Sequence, residues 1–267
     1  MYAFEYVRAN SVRGAASALA KHEDSKILAG GHTLIPTMKQ RLASPTALID
    51  LGGVKDLAGI EQRGRSLVIG AMTTHAAVSA SDVVKAAIPA LADLAHMIGD
   101  PAVRARGTIG GSIANNDPAA DYPAACLGLN AVIVTNQRKI PAGEFFKGLL
   151  ETALEPNEII VRVVFKPPSR AAYMKFRNPA SRFALVGVFV SKKGSEIRVA
   201  VTGAANQGVF RWKAAEEALG KRFNPKSLEG LKMDAAGMNS DIHASADYRA
   251  HLVAVMTHRA VAKALGK

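Results

Sequence analysis

Apolar positions along the chain fall into short blocks separated by Gly, Pro and Asp turns, and their spacing predicts a run of brief helices and strands. Ser11 starts a helix that continues through Leu19 and ends near His22. Residues 27–29 and 67–71 read as strands, and residues 47–51 form another apolar run closed by Gly52 and Gly53. Residues 74–80 predict a short helix, Asp82 caps the next segment, and Pro89 restarts the helix as a first-turn proline. Leu91, Leu94, Ala95 and Ile98 then share one helical face until Gly99 stops it. Residues 131–135 and 158–165 carry the β-branched content of strands, and the adjacent prolines within 166–172 mark a linker. Beyond it, residues 184–190 and 197–202 read as strands of an antiparallel sheet. Residues 212–219 and 245–265 read as helices, the second with Tyr248, Leu252, Val255 and Met256 on one side. No internal repeat is visible. The pattern predicts a mixed α/β part up to about residue 166, followed by a smaller part of one sheet with helices.

Length and composition narrow the function classes. At 267 residues, 49% of them apolar, the chain can bury a large core and has room for two domains. No apolar run approaches the ~20 residues that cross a bilayer, and MYAFEYVRANSV lacks the apolar centre of a signal peptide. A cytoplasmic protein without a membrane span is therefore expected. Cys126 is the single cysteine, which excludes an internal disulfide and any iron–sulfur cluster, since a cluster needs ~4 thiolates. Its neighbours Ala124, Ala125 and Leu127 make it a small buried hydrophobe. The net charge of +12 is spread over small groups such as Arg104/Arg106 and Lys192/Lys193, with no interleaved aromatics. That argues against a nucleic-acid platform and for acidic partners or simple solubility.

Two glycine-paired loops carry the candidate chemistry. The first follows a strand as AGGHTLIP, Ala29 to Pro36. The second, TIGGSIANNDPAADYPAA, runs from Thr108 to Ala125. A paired glycine removes Cβ atoms and lets backbone amides approach a pyrophosphate, while downstream carboxylates can accept hydrogen bonds from sugar or ribityl hydroxyls. Asn115, Asn116 and Asp117 fit either that role or the stabilisation of a polar turn. Neither GxGxxG nor GxxxxGK[ST] occurs, so a dinucleotide held here sits in another fold.

AGGHTLIPTMKQRLASP together with RGTIGGSIANNDPAADYPAA resembles the FAD-binding medium subunits of molybdenum hydroxylases, and the likeness continues through KFRNPASRFALVGVFV and SDIHASADYRAH. The resemblance implies an α+β chain. A two-subdomain FAD-binding fold of the vanillyl-alcohol-oxidase type would occupy residues 1–166, split near 57/58. A C-terminal domain of a three-stranded antiparallel sheet with helices would occupy 173–267. It implies noncovalent FAD contacted by Ala29, Gly30, Gly31, His32, Thr33, Leu34 and Ile35 in the first loop. The second loop would contribute Thr108, Ile109, Gly110, Gly111 and Ser112, and Asp121 would meet the FAD chain. Ile98 and Ile160 would lie against the cofactor, and Lys175 near the flavin, where a cation stabilises the reduced ring. A surface lysine at a strand end is the other reading of Lys175. Tyr173 or Phe176 would shield the ring, or pack in the core. His75 and His96 receive no role.

The same resemblance implies a large molybdopterin-binding subunit and a small subunit with two [2Fe–2S] clusters, assembled as a dimer of heterotrimers. Electrons would pass from those clusters to FAD here and on to an external acceptor, with no acid or base catalyst in this chain. A free-standing FAD-dependent small-molecule oxidoreductase is the alternative.

Overall fold

The computed structural model describes residues 1–266. The chain opens with β1 (Glu5–Arg8), α1 (Val12–Lys21), β2 (Lys26–Leu28), α2 (Leu34–Lys39) and β3 (Ala47–Asp50). Their strands form a three-stranded parallel sheet in the order β1-β3-β2. The Ser11 hydroxyl accepts from the Gly14 amide at 3.0 Å and fixes the start of α1, which buries Ala15 in the same core as Ile49, Leu51, Val54 and Leu57.

A second unit begins with β4 (Ile60–Arg63) and β5 (Ser66–Gly70). Six short helices follow: α3 (His75–Ala80), α4 (Asp82–Ala87), α5 (Pro89–His96), α6 (Pro101–Arg106), α7 (Ile109–Asn115) and α8 (Tyr122–Gly128). Side chains of Thr74, Ser81, Asp100 and Thr108 each accept from an amide in the first turn of their helix, which sets where these short segments start. The chain returns through β6 (Val132–Thr135), β7 (Lys139–Pro141), α9 (Ala142–Phe145), the hairpin β8 (Phe146–Gly148) and β9 (Glu151–Thr152), and β10 (Ile160–Phe165). The sheet is antiparallel with order β4-β5-β10-β6-β7, and Leu67, Ile69, Ile133 and Val163 share a core with the helices. Because α5 ends at His96, Ile98 lies beyond the helix rather than on its apolar face.

The last unit holds β11 (Arg170–Arg177), β12 (Ala184–Lys193), β13 (Glu196–Thr202), β14 (Phe210–Arg211), α10 (Lys213–Lys221) and α11 (Ala246–Ala264). Three long strands form the expected antiparallel sheet, and two residues of β14 add a fourth edge strand by pairing with Val201 and Ala200. The linker is shorter than the sequence indicates, since β11 already begins at Arg170. Strand β12 is buried on both faces. Val186, Val188 and Val190 share a core with Leu252, Val253 and Met256 of α11, while Phe189 joins Tyr173, Ala200 and the α8 residues in the core of the second unit. The sheet is thus cemented to α8, and α8 sits directly behind the second glycine loop. No helix among the described residues is long and apolar enough to cross a membrane.

Candidate cofactor site

Both glycine loops line one cleft of about 690 Å³, within the size range of cofactor sites. In the first loop the chain leaves β2, turns at Gly31 with φ +76°, and enters α2. The earliest backbone bond of that turn is from the Ile35 amide to the Gly31 carbonyl. No backbone carbonyl among the described residues accepts from the amides of Gly30, Gly31, His32, Thr33 or Leu34. Five successive unspent donors at the wall of a cleft form a nest for an anion, and a diphosphate supplies the acceptors they lack.

The second loop works differently. Thr108 caps α7, its hydroxyl accepting from the Gly111 amide at 3.1 Å and its carbonyl from the Ser112 amide at 3.0 Å. The Ile109 amide donates to Thr73 and the Gly110 amide to Ala71. These four amides are thus already hydrogen-bonded within the protein. The loop's glycines serve close packing: a Cβ on Gly110 would lie 2.6 Å from the Cβ of Ala71. The two loops also touch. A Cβ on Gly30 would lie 2.9 Å from both the Arg106 carbonyl carbon and the Gly107 Cα, so the first loop is pinched against the segment leading into the second.

The cleft is also lined by Ile98, Gly99, Ile160, Asp121, Lys175 and Phe183. Arg104 donates to the carbonyls of Ile98 and Gly99 at 3.0 and 3.1 Å and holds that turn. The Lys175 ammonium is buried and donates to Asp121 at 2.9 Å and to the Met97 carbonyl at 3.2 Å. The Tyr173 hydroxyl donates to Asp121 at 2.5 Å. Burial pushes the Asp121 carboxyl above the usual carboxylate range, and Lys175 and Tyr173 pull against that rise.

Of the twelve contact residues expected in the two loops, Ala29–Ile35 and Thr108–Ser112, all line the cleft except Ile35 and Ile109. Ile35 packs beneath Gly31, and Ile109 is fully buried in the core, because α2 and α7 turn those side chains inward. Ile98, Asp121, Ile160 and Lys175 all reach the cleft. Neither Tyr173 nor Phe176 does. Tyr173 is buried with Phe189, and Phe176 packs edge-on against Tyr248 at 6.2 Å between ring centroids. The aromatic at the cleft is Phe183, half exposed after Arg182, which holds φ +61°. Sequence reading passed over it, although the Asn-Pro-Ala-Ser run before it signals a turn. His75 was also passed over. It lines the cleft, its Nδ1 has no partner among the described residues, and burial, with His32 and Arg104 nearby, lowers its pKa to about 4. Glu158 lines the cleft too; although burial pushes its carboxyl up, Arg138, the Glu155 amide and Thr135 hold it down at about 2.

Comparison with known proteins agrees with this geometry. Residues 2–167 match the family described as FAD binding domain in molybdopterin dehydrogenase, and residues 171–264 match CO dehydrogenase flavoprotein C-terminal domain. The carbon monoxide dehydrogenase medium chain of Hydrogenophaga pseudoflava is 36% identical, with 97% of this chain and 96% of that one aligned. The nicotine 6-hydroxylase medium subunit of Paenarthrobacter nicotinovorans is 35% identical over 98% of this chain and 97% of its own. The solved carbon monoxide dehydrogenase from Hydrogenophaga pseudoflava that lacks the Mo-pyranopterin moiety superposes with a TM-score of 0.90, at 36% identity and covering 99% of this chain and 98% of that one. Two matched domains in the right order, and relatives aligned from end to end, identify the chain as a member of the FAD-binding medium subunits of the molybdenum hydroxylase family, an oxidoreductase subunit.

Proposed function

We propose that the chain holds FAD noncovalently along the cleft, with the diphosphate on the Gly30–Leu34 amides and the isoalloxazine at the Ile98, Ile160 and Lys175 end. The run of unspent amides carries this reading, because it is the one part of the cleft built for a polyanion. Ile98 and Ile160 support it by lining the same cleft as the Lys175–Asp121 pair, apolar surfaces on which a flat heteroaromatic ring can rest. The residues present therefore fit the cofactor. When bound, FAD supplies a carrier for two electrons. The chain's own groups bind the diphosphate, fix the ring and keep water from its buried side.

On this reading electrons arrive from two [2Fe–2S] clusters on a small partner subunit and leave to an external acceptor, and substrate is oxidised at a molybdopterin site on a large subunit. The assembly is a dimer of such heterotrimers. Among the described residues no cluster of His, Cys, Asp and Glu gathers where a metal ion could sit, and Cys126, the single cysteine of the sequence, is buried. The test is co-purification of the full chain with its partners, followed by flavin and metal analysis and reduction by candidate substrates. The reading expects the flavin to bleach with substrate in the complex and to stay oxidised in the isolated FAD-loaded chain. Direct bleaching of the isolated chain would instead establish a free-standing oxidoreductase.

A further inference from the structure

The Lys175–Asp121 pair joins two parts of the fold. Asp121 stands just before α8 of the FAD-binding region, and Lys175 projects from β11 of the C-terminal sheet. Both line the cleft, yet the lysine side chain is 0% exposed and the aspartate 4%. An ammonium this deeply buried is stable only with a counter-ion, and Asp121 at 2.9 Å is that counter-ion. A bare cation beside the flavin, as the resemblance implies, is therefore not what the geometry contains. It contains a neutral pair.

The donors of Lys175 can be accounted for. An ammonium has three N–H groups, and this one lies 2.9 Å from both carboxylate oxygens of Asp121 and 3.2 Å from the Met97 carbonyl, so its donors are met within the protein. Asp121 has divided obligations as well. It accepts from Tyr173 at 2.5 Å, and Arg177 on the same strand as Tyr173 also favours its ionised form. The more fully the carboxylate is engaged by Tyr173, the less it cancels the lysine.

We propose that Asp121 is a positioning and charge-compensating residue that sets the reduction potential of the bound flavin by cancelling the field of Lys175. This rests on the reading that FAD occupies the cleft with its ring at the Lys175 end. Reduction adds electron density to the ring, and a nearby cation favours the reduced form over the oxidised one. With Asp121 in place the lysine offers the dipole of an ion pair. Without it the lysine offers a whole charge in surroundings of low dielectric.

The experiment is a dye-coupled reductive titration of the full-length chain reconstituted with FAD, comparing wild type, D121N and K175M. D121N should raise the potential by an amount equal to at least a tenfold gain in preference for reduced over oxidised FAD, about 30 mV for a two-electron couple. K175M should move it the other way. Equal potentials in wild type and D121N, or shifts of the same sign in the two variants, overturn the proposal. Where D121N does not fold, Y173F replaces it. Releasing the hydroxyl lets Asp121 hold Lys175 more strongly and should lower the potential, and an unmoved or raised value overturns the proposal. Wild-type chain that takes up no FAD overturns the cofactor reading itself, and this proposal with it. Uptake with unmoved potentials overturns this proposal alone.

Discussion

Gly30→Ala tests whether the pinch between the loops grips the cofactor. The added Cβ would come within 2.9 Å of the Arg106 carbonyl carbon and the Gly107 Cα, both backbone atoms that cannot swing aside as a side chain would. Relieving that overlap means parting the first loop from the segment that leads into α7. Overpacking of this kind costs about 1–3 kcal/mol. For a chain of this size each kcal/mol lowers Tm by roughly 2–4 °C. The larger effect is on binding. Gly30 opens the run of unspent amides, and a hydrogen bond to a charged acceptor is worth about 1.5–3 kcal/mol, so misplacing one amide weakens FAD about tenfold to a hundredfold. Titration of apo-protein with FAD, followed by flavin fluorescence, measures this, and thermal unfolding of the same samples separates it from loss of fold. Gly143→Ala is the control, since a Cβ there meets nothing within 4 Å and the residue lies in α9 away from the cleft. If folded G30A binds FAD as tightly as G143A, the Gly30–Leu34 amides are not the diphosphate site.

Three further outcomes follow from buried polar groups. The fully buried Thr202 hydroxyl sits 2.9 Å from the Pro118 carbonyl and 2.7 Å from that of Ala120; T202V takes the donor from Ala120, while the Gly203 amide still serves Pro118, and should cost about 1–3 kcal/mol in denaturant unfolding, and a loss under 0.5 kcal/mol would show the bond to be dispensable. The Tyr122 hydroxyl is buried without a partner among the described residues, so Y122F should leave stability unchanged or raise it by up to about 1 kcal/mol; a loss larger than that would reveal a hidden partner such as a bound water. Acid stability should fall in two stages in the apo-protein. His75, at about 4 in the fold against 6.5 in the unfolded chain, binds fewer protons when folded, so its contribution is intact above 6.5 and is lost as pH drops towards 4. Glu158, at about 2 against 4.5, contributes above 4.5 and loses that contribution as pH falls towards 2. H75Q should flatten the upper stage of the Tm profile and E158Q the lower one, and a variant profile parallel to wild type in its window refutes that assignment.

The loops were legible in the sequence because their signal is local. A strand followed by a paired glycine and a small hydroxyl residue is written in a few consecutive letters, and the Gly30 turn keeps that form in the structure. Whether amides remain free is not local. Ala71 and Thr73, which consume the amides of Gly110 and Ile109, lie at the end of β5, and no spacing rule announces that partnership. Lys175 shows the same limit. Its alternation along β11 permits a surface position, and only the tertiary fold brings Asp121, 54 residues earlier, within 2.9 Å. His75 was invisible for a related reason: one histidine at the start of a short helix has no pattern, and its depressed pKa comes from burial and from charges on other segments.

The two ends of the cleft are therefore built from different kinds of contact, and they should respond to mutation differently. On the proposed reading the diphosphate depends on backbone geometry within a few residues of Gly30, so damage there appears as lost affinity. The ring end depends on the C-terminal sheet. Thr202 and the Gly203 amide bind the Pro118 carbonyl, Thr202 also holds Ala120, and Lys175 and Tyr173 hold Asp121. All of these contacts converge on the turn from Asp117 to Asp121. The C-terminal domain thus reaches the cleft through its contacts with one short turn, through one ion pair and through the Ser181–Phe183 loop. Substitutions in β11 and β13 that face this turn should shift the flavin's potential while leaving FAD affinity nearly intact. That separation distinguishes a domain that tunes the carrier from one that merely completes its binding site.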